Sequence, residues 1–212
     1  MTATVTIPDE LKALRQWVVW RWEERDGKAT KPPYSASTGK LASSTDSATW
    51  ATFEEALAAR REGDWNGVGF VFTPDDPFCG VDLDKCRNPV TGEIDPQARE
   101  IIDALDSYTE VSPSSSGLHV LVKGRLPGSG RKRGDLEMYD SGRYFCVTGE
   151  HLEGTPLTIE ERDAALSALY DRYFAEPKAG PSTAPTVGRS PPASWRASSR
   201  PSSGSSSRTS TS

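Results

Sequence analysis

The sequence predicts an α+β domain, with a mixed or antiparallel sheet and flanking helices, followed by a disordered tail. Three observations lead there. Short β-branched and aromatic runs bounded by turn residues read as strands, and two pairs of them read as hairpins. Two Thr-x-x-Glu patterns read as capping boxes that open helices. From Ala175 onward the chain is almost wholly Ser, Pro, Ala, Gly and Arg, which cannot bury a core. The domain is therefore placed at residues 1–174 and the tail or linker at 175–212.

The elements follow in order. Residues 8–14 read as a short helix with Pro8 near its first turn and Leu11 and Leu14 on one side. Residues 17–22, Trp-Val-Val-Trp-Arg-Trp, read as a strand. Asp26-Gly27 signals a turn, and Lys31-Pro-Pro-Tyr34 is extended. Thr52 and Glu55 form the first capping box, opening a helix to about Arg61. Residues 68–72 and 78–83 are apolar strands, and the tight turn between them makes a hairpin the expectation. Asp95-Pro96 starts a helix with Ala98, Ile101, Ile102 and Leu105 at helical spacing. Strands are expected at 108–112 and 118–122, around a small-residue loop at 113–117. Residues 128–134 read as a basic, glycine-rich loop. Residues 136–139 and 143–148, joined by Ser141-Gly142, read as a second hairpin. Thr158 and Glu161 form the second capping box, with a helix to about Tyr173.

The 212 residues have 35% hydrophobic content, and the deficit lies in the tail. The net charge is −5. Residues 175–212 carry five Lys or Arg against one acid, so the preceding residues carry −9. So acidic a body argues against broad, nonspecific nucleic-acid binding and leaves room for a local basic groove. No apolar run reaches membrane-span length, and the N-terminus lacks a signal peptide's hydrophobic stretch. Three cysteines, Cys79, Cys86 and Cys146, without a CxxC pair, argue for reduced thiols in a cytoplasmic protein.

The chemistry gathers around Gly80-Val81-Asp82-Leu83-Asp84. In a strand, alternate side chains share a face, so Asp82 and Asp84 point the same way, about 7 Å apart along the chain. Two like charges side by side are explained either by an exposed strand end or by a divalent cation, since hard cations take carboxylate oxygens. Three later features supply partners. His119 opens an apolar strand behind the loop Ser112-Pro-Ser-Ser-Ser-Gly117. Glu137 sits between apolar residues on the next strand. Arg143 follows the tight turn after it. Each also has an ordinary structural explanation, as a strand-edge histidine, a solvated acid and a surface arginine.

Taken in order, the apolar strand into Asp-x-Asp, the Ser-Pro-Ser…Gly-x-His strand and the acid-bearing strand before Arg-Tyr-Phe…Thr-Gly resemble a known family. It is the primase-polymerase domain of the archaeo-eukaryotic primase superfamily, in the form found in phage and plasmid replication proteins. The segment from Lys31-Pro-Pro-Tyr34 to Trp50-Ala-Thr-Phe53 and the run Gly67-Val-Gly-Phe-Val-Phe72 are similar to that subgroup as well. The resemblance spans about residues 10–170. One position departs from it: many relatives have serine two residues before the histidine, where this chain has Gly117.

The resemblance implies an RRM-like catalytic core that performs template-directed nucleotidyl transfer, as a DNA primase, a DNA polymerase or both. It implies two divalent ions, Mg²⁺ or Mn²⁺, on Asp82, Asp84 and Glu137, with His119 as a further catalytic and nucleotide-binding group. Arg143, Lys123 and Lys31 would pair with phosphate oxygens, and Ser114 or Ser116 would stand in for the missing serine. Arg131, Lys132 and Arg133 would contact the template backbone. The implied partners are single-stranded or primed DNA, nucleoside triphosphates, and a replicative helicase in cis in a longer form or in trans. No GxxxxGK[ST] loop is present in this chain. Two other readings stay open: a metal-dependent nuclease, and a catalytically silent nucleic-acid-binding relic of the fold. A common nuclease pattern puts lysine two residues after the acid, where this chain has Tyr139.

Overall fold

In the computed structural model residues 6–174 are described; the expected tail at 175–212 lies outside them. The elements are α1 (Asp9–Lys12), β1 (Trp17–Trp20), β2 (Glu23–Arg25), β3 (Lys28–Thr30) and β4 (Pro33–Tyr34), then α2 (Phe53–Glu62), β5 (Gly67–Phe72) and β6 (Phe78–Leu83). They continue with α3 (Pro96–Leu105), β7 (Thr109–Val111), β8 (Leu118–Lys123), β9 (Arg131–Arg133), β10 (Leu136–Tyr139), β11 (Arg143–Val147) and α4 (Asp163–Phe174). This is the expected α+β class. Every pairing between named strands is antiparallel.

Two sheets carry the fold. The first has the order β11-β5-β1-β4, the second β7-β8-β6-β10-β9, and β2-β3 form a separate two-stranded ribbon. Every residue of β1 and β5 is buried, because both faces of their sheet are covered. Trp17, Val19, Val68, Phe70 and Phe72 meet Leu11, Ala56, Tyr108 and Leu121 on one side. Val18 and Val71 meet Trp50 on the other. The second sheet packs Val81, Leu83, Val120, Val122 and Met138 against Ile101, Ile102 and Leu105 of α3 and Leu166 and Leu169 of α4. Its opposite face meets the first sheet at Phe78 and Leu121 and carries the site beyond them.

Both expected hairpins are corrected. β5 pairs with β1 and β11, whereas β6 pairs with β8 and β10. A strand has two edges, and in each of these both are taken. The turn at 73–77 therefore carries the chain from one sheet to the other. Asp76 pins it: its carboxylate accepts hydrogen bonds from the Thr73 N–H and hydroxyl, from Gln16 and from the Phe78 N–H. Residues 140–142 carry the chain back, since β10 pairs with β6 and β9 and β11 with β5.

Two more expectations change. Residues 131–133, inside the expected basic loop, form edge strand β9. Thr158 opens no helix. Residues 158–162 run extended beside the end of β8, with bonds from the Lys123 N–H to the Glu160 carbonyl and from the Arg162 N–H to the Lys123 carbonyl, and α4 begins at Asp163. The capping box at Thr52 and Glu55 forms as expected.

The sheets approach closely at Gly80. A Cβ there would stand 2.5 Å from the Phe145 ring and 2.8 Å from that of Phe72. We expect Gly80→Ala to cost about 1–3 kcal/mol by overpacking, measured by urea unfolding. A cost below a few tenths of a kcal/mol would mean the sheets part easily at this point.

Candidate active site

Register builds the site. Glu110 on β7 lies opposite His119 on β8, His119 opposite Asp82 on β6, Asp82 opposite Glu137 on β10, and Glu137 opposite Lys132 on β9. Opposite residues in antiparallel strands share a face. One ionisable side chain from each of five strands thus falls on a single row across the second sheet. Asp84, just beyond the end of β6, joins the row beside Asp82 and Glu137. Carboxylate oxygens of Asp82, Asp84 and Glu137 lie within 4.8 Å of one another.

Three half-buried acids this close repel one another, and an unmet charge inside a protein is costly. Asp82 bears most of that cost. Its Oδ1 is buried and has no hydrogen-bond partner among the described residues. Burial pushes its carboxyl above the ordinary carboxylate range; His119 opposes this, and Asp84 and Glu137 add to it. An all-oxygen set with an orphaned carboxylate oxygen fits a hard divalent cation such as Mg²⁺ or Mn²⁺.

His119 is held from behind. Its Nδ1 lies 3.2 Å from Glu110 Oε1 and its Nε2 3.7 Å from Asp82 Oδ1. A carboxylate only accepts, so Nδ1 carries a proton and Nε2 is the nitrogen turned to the acids. Burial lowers the histidine's pKa, but the bond to Glu110 and the charge on Asp82 outweigh it, and the net direction is up. Glu110 itself is 1% exposed. It also accepts from the Tyr108 hydroxyl and from the N–H groups of Thr148 and Gly149.

Asp82, His119 and Glu137 of the row floor a cleft of about 220 Å³ between the two sheets. Its walls are Lys31, Tyr139, Arg143, Tyr144, Phe145 and Cys146. The Tyr144 hydroxyl donates to the Lys31 carbonyl and so ties that segment to the first sheet. Arg143 stacks over the Tyr139 ring at 4.7 Å and donates to its hydroxyl. Burial pushes the Cys146 thiol up to about 12, so it stays protonated and is a poor nucleophile.

The other sequence candidates lie outside this cleft. Lys123, at the far end of β8, pairs with Glu10 at 2.6 Å. Ser114 and Ser116 bond to each other in the β7–β8 turn. Arg131 is exposed, and Arg133 donates to the Tyr173 carbonyl. At Gly117 a Cβ would stand 2.8 Å from the Leu83 carbonyl oxygen, so the chain has no room for a serine there.

Comparison with curated proteins finds a DNA primase-polymerase of Nitratiruptor phage NrS-1, 39% identical over 177 residues. The match takes in 81% of this chain. The chain belongs to the primase-polymerase family. It spans about a quarter, 24%, of the length of that relative. No family model matches the chain. No helix among the described residues is long and apolar enough to cross a membrane.

Glu110 is not marked by any motif or periodicity in the sequence. An acid at the centre of the three-residue strand Thr109-Glu110-Val111 was the available signal, since a carboxylate is seldom buried without partners. Lys132, expected on the template backbone, lies instead opposite Glu137 on the acid row.

Proposed function

We propose that this chain catalyses template-directed nucleotidyl transfer, as a primase, a polymerase or both. The observation that carries it is the Asp82, Asp84 and Glu137 cluster on one sheet face, with Asp82 Oδ1 left without a protein partner. The similarity to a phage DNA primase-polymerase supports the reading. In the reaction a primer 3′-hydroxyl attacks the α-phosphorus of a nucleoside triphosphate, the bond to the β-phosphate bridge breaks, and pyrophosphate leaves.

Asp82, Asp84 and Glu137 would hold two divalent ions, Mg²⁺ or Mn²⁺, which when bound supply an acidified 3′-hydroxyl and a neutralised leaving group. The rest falls to side chains already placed. His119 presents Nε2 to the cleft, with Glu110 fixing the ring, and would bond a phosphate oxygen there. Arg143 and Lys31 line the same cleft, where their cations would pair with the remaining phosphate charge. Exposed Arg131 would steer the template backbone to an otherwise acidic body.

The test is incubation with a primed template, labelled nucleotides and Mg²⁺ or Mn²⁺, with a no-primer control. Primer extension that chelation stops, and that Asp82→Ala with Asp84→Ala abolishes, is the expected result. Shortening of the DNA would make the protein a nuclease. Binding without either change would make it a silent relic of the fold. The no-primer arm separates initiation from extension.

A further inference from the structure

Lys132 stands where the proposed reaction needs something else. In the run Arg131-Lys132-Arg133, strand alternation turns only the middle residue to the acid row. Lys132 lies opposite Glu137 in the β9–β10 register, a placement that depends on backbone pairing and not on a rotamer. Its ammonium pairs with the Glu137 carboxylate and lies 3.8 Å from Asp84 Oδ2. It therefore sits against two of the three acids that would ligate metal. A carboxylate oxygen that accepts a hydrogen bond from an ammonium has that lone pair occupied, and two cations on one oxygen repel. Ammonium and metal ion therefore compete for the same two carboxylates. Lys132 is also free to leave. β9 is a three-residue edge strand, and the lysine side chain is 52% exposed on a flexible stem.

We propose that Lys132 is a displaceable internal counter-ion of the metal site. In the metal-free protein its ammonium offsets the repulsion between Glu137 and Asp84. A divalent ion competes with it for the two carboxylates, so Lys132 raises the metal concentration at which the site fills. It acts through the acids and is a positioning residue. This rests on the metal-site reading given above, and the experiment separates the two.

Mn²⁺ binding to the full chain is measured without nucleotide or DNA, from the electron paramagnetic resonance signal of free Mn²⁺. Wild type, Lys132→Met, Lys132→Arg and Glu137→Gln are compared. Lys132→Met keeps the apolar stem and lies on an exposed edge, so folding is retained. It should tighten Mn²⁺ binding at least about fivefold, and lower the melting temperature in chelator. Lys132→Arg, which keeps the charge, should bind like wild type, and Glu137→Gln should bind more weakly. If wild type binds and Glu137→Gln loses binding, but Lys132→Met binds no tighter than wild type, the counter-ion role is wrong and the metal site stands. If no variant binds Mn²⁺, both fall.

Discussion

Asp82→Asn should abolish nucleotide incorporation while making the metal-free protein more stable. Loss of a ligand that contributes several kcal/mol to the transition state lowers the rate by roughly a thousandfold or more. The same charge is a liability when no cation is present. Asp82 is half-buried, its Oδ1 lacks a partner, and Asp84 and Glu137 face it. Removing it should gain about 1 kcal/mol, or about 2–4 °C in melting temperature for a domain of this size. The pH dependence has a definite sign. Burial, joined by the neighbouring acids, raises the folded-state pKa of Asp82 above the ordinary value of 3.8. The folded state therefore holds the proton more tightly than the unfolded state. Stability from this group is present below the ordinary value and lost as pH rises through the raised one. In chelator, wild type and Asp82→Asn should melt together in acid and separate toward neutral pH, with the variant higher. Saturating Mn²⁺ should reverse the order, because wild type alone gains binding free energy. Calorimetry across that range reads all of this, and a variant less stable than wild type at neutral pH in chelator would refute it.

Glu110→Ala should be the most destabilising single change at the site, by about 3–5 kcal/mol. The substitution strands three donors at once, His119 Nδ1 and the N–H groups of Thr148 and Gly149, while the Tyr108 hydroxyl keeps the Thr6 carbonyl as acceptor. A fall of about 10 °C in melting temperature follows. Glu110→Gln should recover little. Oε1 accepts from the Thr148 N–H and Oε2 from the Gly149 N–H. Whichever way the amide is turned, its NH₂ therefore faces a backbone donor. Both variants should also lose incorporation, because nothing then fixes the His119 ring. Urea unfolding decides the first point, and a cost under about 1 kcal/mol for Glu110→Ala would show the carboxylate to be dispensable.

The donors at the site were open to direct reading. Asp82 and Asp84 are two apart at the end of an apolar strand, and His119 and Glu137 each sit on short strands of their own, so local pattern was enough. Placement of those strands was not open in the same way. The turns at 73–77 and 141–142 carry ordinary reversal signals, and reversal suggested hairpins. A turn sequence says that the chain changes direction. It says nothing about whether the next strand's neighbours come from far along the chain, as Trp17 and Phe145 do for Phe70. Glu110 escaped notice because three residues are too few to display alternation. Lys132 stands out as a basic residue, but its place on the acid row does not, because Arg-Lys-Arg is polar on both faces and hydrophobic patterning has nothing to sort.

Residue order alone dictated which groups are available and the strand parity that sets Asp82 and Asp84 on one face, because these follow from local geometry. Only the tertiary structure decided that Glu110, His119, Asp82, Glu137 and Lys132 form one row. Register between strands distant in sequence is settled by which apolar faces must be buried together, and a one-residue slip would turn every member of a strand to the other face. The partner behind the histidine and the lysine among the acids both come from that register.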